Sequence, residues 1–192
     1  LHRYDDGQFT LTLTLTLTLT LTPTRHRYDD GQFFPGSKYA APESVGSGAG
    51  AGYSCNVAWN CRWDDEQGMG DAEYLAAFQT LLLPLAREFN PDLVLVSAGF
   101  DGALGDAAGF SVTASGFAQM TEMLQSLCER LVLVLEGGYT LSVTAKCVAA
   151  CIAVLLGDKP AVTSAGASVS PKPEACYSIV RTLRALEPLL RN

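Results

Sequence analysis

The sequence predicts an α/β domain built on a parallel sheet with crossover helices, and three observations carry that prediction. Two short apolar runs, Leu93-Val94-Leu95-Val96 and Leu131 to Leu135, are bounded by turn residues and have the length of strands. Each is followed by a stretch whose apolar residues recur at helical spacing. Strand and helix patterns alternate from residue 53 onward, an order that needs crossover connections and leaves consecutive strands parallel.

Composition suits one domain. A chain of 192 residues buries roughly 70% of its extended surface. With 48% hydrophobic and 17% charged residues it reads as globular. The net charge of -7 speaks against tight nucleic-acid binding through phosphates, which needs clustered Lys and Arg. The longest apolar helical run, Val148 to Leu156, is too short to span a bilayer, and no charged-then-apolar leader opens the sequence. The six cysteines include no CxxC pair, and Cys147 and Cys151 stand four apart on one predicted helix face. Reduced, structural thiols are expected.

Taken in order, His2 to Phe9 recurs as His26 to Phe33, and Thr alternates with Leu from Thr10 to Thr22 between the copies. Period two makes a strand with one Leu face and one Thr face, uncharged and prone to edge pairing. Residues 1–25 read as a local duplication without function; an extra edge strand or an interaction tail is the alternative. Phe33-Phe34-Pro35-Gly36 leads into a surface loop, residues 37–52, rich in Gly, Ala, Ser and Pro. Tyr53 to Trp59 alternates as a strand. Gly70-Asp71 starts a helix with Leu75, Phe78, Leu82, Leu85 and Phe89 on one stripe, and Pro84 inside it should bend or break it. The strand at Leu93 should be buried on both faces. A helix from Ser115 to Glu129, the strand from Leu131, and helices from Ser142 to Leu156 and from Glu174 to Leu190 follow.

Both apolar strands deliver polar residues at the same edge. The first runs through Phe100 and Asp101 into a Gly- and Ala-rich loop, Gly102 to Gly109; the second runs into Glu136-Gly137-Gly138-Tyr139. Ligand sites form beyond the carboxyl ends of parallel strands, so Asp101 and Tyr139 are candidates to share one site. Asp101 reads as a metal ligand, a general acid or base, or a turn former that accepts backbone N–H groups. Tyr139 reads as a hydrogen-bond donor to an oxyanion or as a half-buried strand-end cap. Gly137 and Gly138 permit close approach of substrate or backbone, or form an ordinary tight turn. Asp106 reads as a turn stabiliser, and Glu136 would need a partner if it pointed inward. The two histidines, His2 and His26, are copies of one another, and no HExxH, GxSxG, P-loop or GxGxxG occurs at a strand-to-helix turn.

The segments HRYDDGQFFPGS, GYSCNVAWN, GMGDAEYLAAF, LLLPLAREFNPDLVLVSAGFDGALGD and LVLEGGYTL resemble the C-terminal half of a class II zinc-dependent histone deacetylase domain. The resemblance runs continuously over about residues 33–160, and SAGFD and EGGY at this separation are highly specific. It implies an arginase-deacetylase type α/β fold, here incomplete, and removal of acetyl from lysine side chains by metal-activated water. It implies that Asp101 is a zinc ligand and that Tyr139 polarises the amide carbonyl and stabilises the oxyanion. Phe34 would line the acyl-lysine tunnel, with Gly137, Gly138 and Ala108 beside it. Zinc is the implied cofactor, and potassium is a further candidate.

Ala108 stands where a polyamine-selective branch carries Glu, and Tyr139 where a weakly active branch has His. Acetylated proteins, histones or cytoplasmic proteins, are therefore the implied substrates, in the nucleus, the cytoplasm or both, with no direct nucleic-acid or membrane partner. The family's Asp-x-His ligands and tandem His base precede the segment like HRYDDG and do not occur in this chain, and Ala107 replaces a Pro. The resemblance thus implies an N-terminally truncated deacetylase domain over residues 26–160, inactive as it stands. A linker and C-terminal helix over residues 161–192 would follow it. The alternative is a non-catalytic interaction module or degenerate paralogue keeping half the fold. An arginase-like two-metal hydrolase fits less well, because SAGFD offers a single Asp.

Overall fold

The structure, a computed structural model, describes residues 9–14, 20–33, 36–60, 68–161 and 170–190. Five strands, β1 (Phe9–Thr14), β2 (Thr20–Arg27), β3 (Ser54–Trp59), β4 (Val94–Ala98) and β5 (Leu131–Leu135), form one sheet in the order β3-β2-β1-β4-β5. β2 pairs with β3, and β4 with β5, in parallel. β1 runs antiparallel to both β2 and β4. Four strands therefore share one direction: β3, β4 and β5, as the alternating pattern predicts, and β2, which that pattern did not include; β1 opposes them. The Thr-Leu tract does not supply an edge strand: β1 is paired on both sides. A run without proline offers a full row of backbone donors and acceptors on each side, so it satisfies two neighbours at once.

Residues Asp71–Phe89 form one continuous helical run: α1 (Asp71–Ala77), a π-helical turn (Phe78–Leu82) and α2 (Leu83–Phe89). Glu73 Oε2 accepts the Gly70 N–H at 2.7 Å and closes the first turn. Of the bend or break expected at Pro84, the break does not occur. The Leu83 N–H reaches back to Phe78 O, so the turn widens just ahead of the proline and reroutes bonds that its missing N–H would leave unmade. Asn90, at φ 52 in the left-handed region, closes the helix.

α3 (Ala114–Gln125) starts at Thr113, whose hydroxyl accepts the Gly116 N–H at 3.1 Å. The buried Asp71 carboxylate in turn accepts the Thr113 N–H at 2.7 Å and its O–H at 2.6 Å, which ties the starts of α1 and α3 together. α3 packs on α4 (Leu141–Leu155), and α5 (Pro173–Leu190) packs on β3. The Thr182 hydroxyl donates to Asn56 O at 2.7 Å, and Arg181 pairs with both Glu43 oxygens at 2.7 and 3.1 Å. Trp59, Phe78, Phe117, Met120 and Leu186 are fully buried, and the Tyr74 ring meets Trp59 at a tilt (5.6 Å) and Phe110 edge-on (6.1 Å).

The expectation that β4 is buried on both faces is corrected. Val94, Val96 and Ala98 are buried, whereas Leu95 and Ser97 alternate with them at intermediate exposure. β5 is more open: Val132, Val134 and Leu135 are 45%, 48% and 61% exposed. It is the outer strand of the sheet, and no described element covers those side chains.

Candidate functional site

The carboxyl ends of β4 and β5 lie level, with Ala98 opposite Leu135. The pairing continues past both strands: the Glu136 N–H donates to Ala98 O at 3.1 Å and the Phe100 N–H to Gly137 O at 2.9 Å. Asp101 follows directly on one side of this seam and Tyr139 two residues later on the other. The structure thus brings the two candidates to one rim, a carboxylate 8% exposed and a phenol residue 64% exposed.

The loop after β4 is closed on itself. The Ala103 N–H donates to Phe100 O (3.0 Å), Ala108 to Asp101 O (3.2 Å), Leu104 to Val112 O (2.9 Å) and Val112 to Gly102 O (3.3 Å). Beneath it the Phe100 ring meets Phe117 edge-on at 5.0 Å. These bonds pair much of the loop's backbone with itself and fix its course beside Asp101. Ala108, half-buried, sits within this loop through its bond to Asp101.

Asp106 ties the two halves of the rim together. Its carboxylate accepts the Tyr139 N–H at 3.0 and 3.2 Å, the Thr140 N–H at 2.7 Å and the Ala107 N–H at 2.7 Å. Partial burial pushes the Asp106 carboxyl up, but the bonds from Ala107, Thr140 and Tyr139 outweigh it and hold the group below the usual carboxylate range. Turn stabilisation, as the sequence suggests, is only the Ala107 contact. The bonds to residues 139 and 140 span more than thirty residues and leave no local signal.

Gly138 stands at φ +127, where a Cβ would lie 2.6 Å from Thr144 Oγ1, 2.9 Å from Thr144 Cγ2 and 3.2 Å from Phe100 Cβ. The close approach seen at Gly138 is that of the Thr144 and Phe100 side chains. Gly137 is buried, and Glu136 is exposed, so its charge stays in water. Thr144, which carried no sequence signal, is buried with its hydroxyl lacking a hydrogen-bond partner among the described residues. Phe34 lies outside the described residues. Behind the rim, Ala98, Phe100, Leu133, Val148, Cys151 and Leu155 help line an apolar groove of about 160 Å³.

Among the described residues, no group of three or more His, Cys, Asp or Glu side chains could hold a metal ion. Among the described residues Asp101 offers a buried, hard oxygen donor at the rim, which fits one position of a zinc coordination shell. Nor is any described helix long and apolar enough to cross a membrane.

The profile of the histone deacetylase domain matches residues 19–155. Histone deacetylase 9 of Homo sapiens is 49% identical over 163 residues, covering 83% of this chain and 13% of that protein. Histone deacetylase 7 of Homo sapiens is 48% identical over 138 residues, covering 70% of this chain and 14% of that protein. The solved structure of the histone deacetylase Clr3 superposes with a TM-score of 0.80 at 38% identity, over 86% of this chain and 27% of that one. The chain therefore spans about a seventh of the length of these human relatives.

Proposed function

This chain belongs to the histone deacetylase domain family, and from that premise we propose that it forms part of a zinc-dependent protein lysine deacetylase. The arrangement supporting this reading most strongly is the shared rim: Asp101 and Tyr139 lie on either side of a backbone seam between parallel strand ends. Zinc held in part by Asp101, with its other ligands from beyond the described residues, would supply Lewis acidity for the attack of water on an amide carbonyl.

The residues of this chain then have separate tasks. The Tyr139 hydroxyl donates to the carbonyl oxygen as negative charge develops there, a role that its exposure leaves open to a substrate. Gly137 and Gly138 carry no side chain into the space beside it. By the family resemblance Phe34 would supply an apolar wall for the four-carbon lysine stem, and the small Ala108 would place no carboxylate near a second amine. The substrate class is an acetylated protein, met in the nucleus, the cytoplasm or both.

The test is acetyl-lysine peptide hydrolysis by the full-length protein that carries these residues. Tyr139→Phe should lower kcat about 10²- to 10³-fold, and Asp101→Ala should abolish both turnover and stoichiometric zinc. A full-length protein that hydrolyses no acetyl-lysine peptide, or one indifferent to Tyr139→Phe, refutes the assignment.

A further inference from the structure

We propose that Asp106 is a positioning residue, whose carboxylate clamps the backbone of Tyr139 and Thr140 and so fixes where the phenol sits on the rim; this rests on the role assigned above to Tyr139. Tyr139 follows two glycines, one at positive φ, a pair with little stiffness of its own. It precedes α4, whose N-cap residue Thr140 makes no side-chain capping bond. The loop after β4 ties the chain down just ahead of the first helical residue instead. Asp106 engages the N–H groups of the N-cap residue and of the residue before it, at 2.7 and 3.0 Å. Bonds to a carboxylate are roughly twice as strong as neutral ones. A negative charge at a helix N-terminus is favoured as well.

One side chain therefore joins three things: the loop that carries Asp101, the start of α4, and the residue between them that carries the phenol. The seam at Gly137 fixes the chain before the flexible pair, and Asp106 fixes it after. Without the second tie, Tyr139 would pivot about Gly138, and the hydroxyl would spend less time where charge develops. A group misplaced by about 1 Å is enough to cost roughly 10²-fold in rate.

The test uses the full-length protein and an acetyl-lysine peptide, comparing Asp106→Ala, Asp106→Asn, Tyr139→Phe and the Asp106→Ala/Tyr139→Phe double variant. Asp106→Ala should lower kcat roughly 10- to 100-fold with KM within about twofold, less than the cost of removing an oxyanion donor outright. Asp106→Asn keeps one acceptor oxygen and should recover part of the loss. In the Tyr139→Phe background, Asp106→Ala should cost under about threefold, because residues acting through one group are not additive. Equal losses in both backgrounds, or a rise in KM at constant kcat, overturn the proposal. Amide hydrogen exchange reads the clamp without turnover. Asp106→Ala should speed exchange at Tyr139 and Thr140 by about tenfold or more while Phe100 stays protected. Unchanged exchange at those two amides overturns the clamp, whereas a wild-type protein inert towards the peptide overturns the assignment of Tyr139 and with it the positioning role.

Discussion

Gly138→Ala asks for a methyl group where the structure has no space and for a backbone angle that L-residues rarely adopt. The strain of holding Ala at φ +127 is about 1–3 kcal/mol. The methyl would stand 2.6 and 2.9 Å from the two outer atoms of Thr144. Relieving that overlap displaces α4 or the loop, at about 1–3 kcal/mol. The sum is a loss of about 2–6 kcal/mol, and Tyr139 is the next residue to move. Thr144→Ala removes both clashing atoms along with a buried hydroxyl that has no partner among the described residues, so by itself it should cost little. In the Gly138→Ala background it should restore the overlap share, about 1–3 kcal/mol, and leave the φ strain in place. Urea denaturation of the four proteins at constant m-value measures this cycle directly. If Gly138→Ala cost less than about 1 kcal/mol, or if Thr144→Ala had the same effect in both backgrounds, the reasoning from close approach would be refuted.

Asp71→Ala should destabilise the fold by about 2–5 kcal/mol in the same denaturation assay, because two hydrogen bonds to a buried charged group are lost and α3 loses its tie to α1. Asp71→Asn, which keeps one acceptor, should cost less, and a loss under about 1 kcal/mol for the Ala variant would contradict the account. The Cys147 thiol is pushed up to about 11, first by burial and then by the charges of Cys151, Asp106 and Asp71. A folded-state value above the unfolded one gives stability that is fully present below the unfolded value and is lost as pH rises through the folded one. Unfolding free energy should therefore fall between about pH 9 and 11 by at most about 2–3 kcal/mol, and Cys147→Ala should flatten that part of the profile.

Much of the fold was legible because its signals are local. The stripe from Leu75 to Phe89, the helical spacing from Phe117 to Leu124 and the short apolar runs at Val94 and Leu131 each announce an element within one window. What escaped depends on distant parts of the chain. An apolar run does not reveal which of its faces a neighbour covers, so β4 emerges alternating and β5 half open. Strand pairing is likewise non-local, and nothing in the Thr-Leu tract foretold that β1 would lie inside the sheet against the direction of both neighbours. Pro84 announced a bend or a break, and the preceding π-turn averts the break. At the rim, Asp101, Gly138 and Tyr139 were visible as strand-end residues, whereas the reach of Asp106 to the Tyr139 amide closes a loop of more than thirty residues.

β1 also has a bearing on how firmly the rim is located. It draws its residues from a unit two positions long, so sliding it by one unit against β4 presents the same residue types to the same sides of the sheet. Such a strand is a ruler with identical marks: it joins its neighbours but does not say where along them to stop. β2 escapes this degeneracy because its pairing with β3 runs from Thr22 to Arg27, where the repeat has ended. β4 has a neighbour of fixed alignment on its other side, in β5, through Ala98 opposite Leu135 and the two bonds beyond them. The height at which Asp101 meets Tyr139 is therefore set by that one junction, whatever the tract beside it does.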